Sequence, residues 1–120
     1  MIEKNLLLLD DFRKQLGWLI DIEEDEYAKD YLNGKYKIYS KVCDIVEGEL
    51  QTDSFDENTL DNLFIWVHTK LWEKYTDEHW FLSRAVLILE GNQEAIDTEK
   101  AFINDMKKAN GLLEGECSAN

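Results

Sequence analysis

A chain of 120 residues and 14.1 kDa has the size of one domain and can bury a core of its own. It is 44% hydrophobic, with four Trp, five Tyr and five Phe, which excludes an acidic disordered chain. Against 26 Asp and Glu stand only 13 Lys and Arg, and the net charge of −13 argues against affinity for nucleic acid, which rests on cations.

Apolar residues recur near a spacing of 3.6 and proline is absent, so the reading is all-α: a single-domain antiparallel bundle of about five helices over residues 1–113. The first helix is expected over about 2–20, with Ile2, Leu6, Leu9, Phe12, Leu16, Leu19 and Ile20 on one face. Its run of four leucines is too short for a signal-peptide core, and no stretch approaches a membrane span. The expectation is a cytoplasmic, reduced protein with no membrane association.

Five acids within 21–26 (Asp21, Glu23, Glu24, Asp25 and Glu26) form a connection and suit a helix start. The second helix is expected from about Glu24 to Val46, with Tyr27, Tyr31, Ile38, Val42 and Ile45 inward. Asn33-Gly34 should kink or divide it, and Gly48 should end it. Its lysines, Lys29, Lys35, Lys37 and Lys41, alternate with tyrosines. Such a mixture can stack bases and hold phosphates, but a helix with tyrosines inward and lysines solvated is the favoured reading.

Between Lys41 and Lys70 lie seven acids and no Lys or Arg: Asp44, Glu47, Glu49, Asp53, Asp56, Glu57 and Asp61. Ser54 with Glu57 has the form of a capping box opening a third helix over about 55–75, its core face made by Leu60, Leu63, Phe64, Val67, Leu71 and Tyr75. Trp66 falls beside Asn62, Thr69 and Glu73, away from that face, while Ile65 and Trp72 are expected under a neighbouring helix. On the first helix Trp18 falls opposite Leu9 and Leu16. Trp18 and Trp66 are either exposed anchors or covered by a second neighbour.

Thr76 is a candidate N-cap for a fourth helix over about 77–90, apolar nearly all round from Trp80 to Leu89 and therefore central. Arg84, its sole Lys or Arg, is read as one half of a structural ion pair. Gly91 suits the C′ position. A fifth helix over about 93–109 turns Ile96, Phe102, Ile103 and Met106 inward and closes at Asn110-Gly111. Leu112 and Leu113 can still pack, whereas 114–120 is expected to be a disordered tail. Cys43, inward, and Cys117, in the tail, are read as free thiols.

No motif in the chain announces chemistry. His68 and His79 are eleven positions apart without the spacing of a zinc or di-iron site, and there is no nucleophile elbow or phosphate loop. The expectation is a protein without catalytic residues, metal or cofactor.

Its size, the acidic stretches at 21–26 and 42–69, and the absence of a signal sequence resemble the small acidic helical immunity proteins of bacterial toxin systems, of the colicin and contact-dependent growth inhibition types. The resemblance is one of general character over the whole chain. It implies a cytoplasmic inhibitor, a monomer that forms a heterodimer with a toxin domain, often a basic nuclease. The surface expected to meet that partner comprises Asp44, Glu47, Glu49, Asp53, Asp56, Glu57 and Asp61 with Trp66, together with Trp18, Glu23 and Glu24. The alternatives are a phage-type acidic inhibitor of a host defence nuclease and an acidic secretion or assembly chaperone.

Overall fold

The computed structural model describes residues 2–51, 57–74 and 79–111. Within them the chain is an all-α bundle: α1 (Ile2–Ile22), α2 (Glu26–Leu50), α3 (Glu57–Lys74), α4 (His79–Leu89) and α5 (Gln93–Ala109). No strand occurs among the described residues. Ser54 and Thr76, proposed as caps, lie outside them, as do Tyr75, Leu112, Leu113, Cys117 and the tail.

α1 presents Ile2, Leu9, Phe12, Leu16 and Leu19 to the core, the stripe its periodicity predicts. It ends at Ile22, and Asp25 opens α2 as N-cap, its carboxylate accepting from Ala28 N at 2.8 Å. A link this short forces α2 back along α1. Gly17 accordingly faces Tyr36, Asp10 lies near Cys43, and Glu3 and Leu6 line one groove with Leu50, the order of an antiparallel hairpin.

α2 corrects several expectations. It runs unbroken through Asn33-Gly34 and past Gly48 to Leu50. Gly34 serves a close approach instead: a Cβ there would come within 3.2 Å of the Phe81 ring, so its absence lets α4 settle against α2. The buried stripe of α2 is Leu32, Lys35, Ile38, Tyr39, Val42, Cys43 and Val46. Tyr27, in the first turn, is 84% exposed and does not point inward as expected, and Tyr31, 46% exposed, is only partly covered, by Phe81 and Phe102. The stripe passes through Lys35, and this lysine is not solvated.

α4 touches each of the other four helices. Leu82, Ala85, Ile88 and Leu89 are fully or almost fully buried, which is why the segment is so apolar, although Trp80 and one edge at Leu87 remain exposed. Its end is a Schellman turn. Gly91 N donates to Ile88 O and Asn92 N to Leu87 O, with Gly91 at φ +81°. The Asn5 side chain donates to Leu89 O at 2.9 Å, tying the first turn of α1 to this terminus. Asn92 then caps α5 through Ala95 N, at 2.9 Å. Gly91→Ala should therefore destabilise the fold by about 1–2 kcal/mol, the cost of a left-handed L-residue, read as a lower urea midpoint with an unchanged slope. An unchanged midpoint would mean that the turn relaxes freely.

α5 buries Ala95, Ile96, Glu99 and Ile103, with Phe102 and Met106 half-buried. Among the described residues, α3 is covered on one side only. Val67 and Leu71 are buried, but α4 and α2 are the only helices it packs against among those described. Ile65, expected beneath a neighbour, is 66% exposed for that reason.

Candidate functional site

The hairpin geometry separates the two acidic segments. Glu23 and Glu24 sit at the α1–α2 link, whereas Asp44, Glu47 and Glu49 lie near the other end of α2. At 1.5 Å per residue, Glu26 and Glu47 are roughly 30 Å apart along the helix. They cannot form one patch. Glu23 is also engaged locally, accepting from Asp25 N at 3.2 Å and from the Asn110 amide at 3.3 Å. Glu24 is exposed.

At the far end, Asp44 and Glu47 are one turn apart and exposed, and Glu49 is half-buried. Between the start of α1 and the end of α2 opens a groove of about 370 Å³ lined by Glu3, Leu6, Leu7, Asp10, Cys43, Glu47 and Leu50. Its floor is apolar, Leu7 is 70% exposed, and three carboxylates from two helices stand around it. Asp10 is shared with Arg13 and Lys14. Among the described residues no Lys, Arg or His lines the groove itself.

On α3, Asp61, Asn62, Ile65, Trp66 and Thr69 are exposed and fall on one face at i, i+4 spacing. Trp66 is 47% exposed and Trp18, on α1, 46%. Asp53 and Asp56 lie outside the described residues, and of Glu57 only its place as the first residue of α3 is described. The structure thus gathers Asp44 with Glu47, and Asp61 with Trp66, and holds Glu23, Glu24 and Trp18 apart from the groove.

Cys43, at the groove's floor, is a free thiol, 2% exposed. Burial pushes its pKa up to about 12, Asp10, Asp44 and Glu47 adding to the effect and Arg13 opposing it. In a Cys117→Ser chain, alkylation of Cys43 at pH 8 should run roughly a thousandfold slower in the native than in the unfolded protein, from thiolate fraction alone. Fast native labelling would refute a thiol buried and held protonated beneath the groove. The unfolded thiol ionises first, so this group's stabilisation is present below pH 9 and is lost as pH rises above it.

Sequence reasoning missed the polar centre of the molecule. Lys35 Nζ donates to Glu99 at 2.9 Å and Tyr39 Oη donates to the other carboxylate oxygen at 2.6 Å. Lys35 is 4% exposed, and Tyr39 and Glu99 are fully buried. The Phe102 ring lies 3.9 Å from the ammonium and adds a cation–π contact. Burial lowers the Lys35 pKa, against the opposing pull of Glu99. Burial first, then Glu99, holds Tyr39 well above its ordinary value. The signal was present in the spacing: Glu99 stands between Ile96 and Ile103 on the apolar stripe of α5, and Lys35 between Leu32 and Ile38 on that of α2.

Among the described residues no group of His, Cys, Asp and Glu is placed to hold a metal ion, and no helix is long and apolar enough to cross a membrane. No family model matches this chain, and neither a curated protein nor a solved structure resembles it.

Proposed function

We propose that the chain is a non-catalytic inhibitory binding protein of the immunity type, which neutralises a cognate bacterial toxin, in the first instance a basic nuclease domain, in a one-to-one complex. The observation that carries this reading is the α1–α2 groove, an apolar floor with Glu3, Asp10 and Glu47 around it and Asp44 exposed nearby. Carboxylates there match a cationic surface and speed encounter, while apolar contacts on the floor slow release. The exposed Asp61–Ile65–Trp66 face of α3 has the same make-up, with an aromatic anchor of the kind that dominates interface energetics. A phage-type inhibitor of a defence nuclease would use the same physics. A chaperone is less well supported, because α4, the helix that could have formed its apolar groove, lies at the centre of the bundle.

The test is co-expression with the product of the adjacent reading frame. Restored growth of cells carrying that gene, and a one-to-one complex that weakens steeply with salt, are the expected results. Continued toxicity with no complex would overturn the reading for that partner pair. A complex insensitive to salt would overturn the role given to the carboxylates.

A further inference from the structure

On the side of the bundle where α2, α4 and α5 meet, a cleft of about 170 Å³ is lined by Tyr31, Lys35, Trp80, Phe81, Arg84, Thr98 and Phe102. Its character is the reverse of the molecule's. Three aromatic rings form one wall, Tyr31 meeting Phe81 edge-on at 5.1 Å between centroids and Phe102 at 5.7 Å. Two cations line it in a chain of net charge −13. Glu99 balances Lys35, whereas no carboxylate pairs with Arg84, so among the described residues one positive charge of the cleft is left without a counter-ion. Lys35 Nζ, with three donors and a hydrogen bond to Glu99, retains donor capacity toward the space it lines.

We propose that this cleft is a binding site for a small aromatic carboxylate, its ring against Tyr31, Phe81 and Phe102 and its carboxylate on the Arg84 guanidinium. A planar guanidinium grips a carboxylate through two parallel hydrogen bonds, and the volume is close to the ~150 Å³ at which an apolar cavity accepts a benzene ring. One uncompensated charge suits a monoanion, and the Glu99 carboxylate behind Lys35 disfavours a dianion such as phosphate. The acidic surface gives no electrostatic steering here, so selectivity rests on contacts inside the cleft. This site is independent of the α1–α2 groove, and its success or failure leaves the immunity reading untouched.

Benzoate is the probe, titrated into the full chain and followed by the side-chain resonances of Arg84 and the Trp80 indole, with benzyl alcohol and benzylamine as neutral and cationic counterparts. Saturable shifts with benzoate alone are expected. Arg84→Gln, with an unchanged melting curve, should weaken binding about tenfold or more, as loss of a charged hydrogen-bond partner does. The proposal falls if benzoate gives no saturable shift through the low-millimolar range, or if benzyl alcohol binds as well. Unchanged benzoate affinity in Arg84→Gln would likewise remove it. The comparison of the three probes needs only the wild-type chain, so it stands even if the variant does not fold.

Discussion

Replacing Glu99 by alanine should lower the unfolding free energy by about 3–5 kcal/mol, a large part of what a domain this size possesses. The variant leaves the Lys35 ammonium buried without its carboxylate and removes the acceptor of the Tyr39 hydroxyl. Cavity formation contributes too, so a second variant separates the causes. Lys35→Met with Glu99→Leu removes both charges while keeping apolar volume, and should recover the share due to the stranded ammonium, since well-packed apolar replacements of buried ion pairs are often neutral or stabilising, while the Tyr39 hydroxyl still lacks its acceptor. Equal destabilisation of the single and double variants, measured by urea unfolding at pH 7, would show that the pair is not what the core depends on. An alkaline series adds an independent reading. Tyr39, whose ionisation is suppressed in the fold, contributes stability that is present below pH 10 and lost as pH rises beyond it. Lys35 acts in the opposite sense, since its lowered pKa favours the fold as pH rises toward 10.5. With Cys43 acting in the same direction as Tyr39, a falling melting temperature above about pH 10.5, where Lys35 no longer adds stability, is the expected net result.

The second large effect concerns association. Reversing Asp44, Glu47 and Asp61 together to lysine should slow binding to the basic partner by one to three orders of magnitude, on the order of the full range that electrostatic steering supplies. All three are exposed, so the fold should survive. The loss should shrink as salt rises and the difference in field is screened. Trp66→Ala, in contrast, should act on dissociation, at a cost of about 2 kcal/mol or more if its ring is buried against the partner. A charge-reversed chain that binds at the original rate would remove the acidic face from the mechanism. An unchanged dissociation rate in Trp66→Ala would leave α3 outside the interface.

The helices were legible because amphipathic periodicity is a strong signal and proline never interrupts it. α1 and α5 follow their apolar stripes closely, and the Gly91 turn follows from glycine's tolerance of positive φ. What was not legible depends on neighbours. Gly34 and Gly48 read as breakers, yet a long helix packed against α1 and α4 tolerates both, the first because α4 needs its space. Tyr27 has the residue type of a core position but stands in the first turn of α2, where it stays uncovered. Ile65 has the hydrophobicity of a buried residue on a helix covered on one side. Lys35 reads by its type as a solvated residue and Glu99 belongs to no motif, although spacing puts each on a buried stripe. Of the surface acids, position along the chain did not reveal that a hairpin would carry Glu23 and Glu47 to opposite ends.

The Lys35–Glu99 pair also bears on how the chain is made. Its partners are 64 positions apart, and α1 and α2 can zip together long before α5 leaves the ribosome. At ~5–20 residues per second, roughly 3–13 s separate synthesis of the two residues. During that interval the stripe of α2 awaiting α4 and α5 carries an ammonium, not an uninterrupted apolar surface. A nascent hairpin marked in this way stays hydrated on its unfinished side, and the carboxylate that neutralises it arrives only with the last helix.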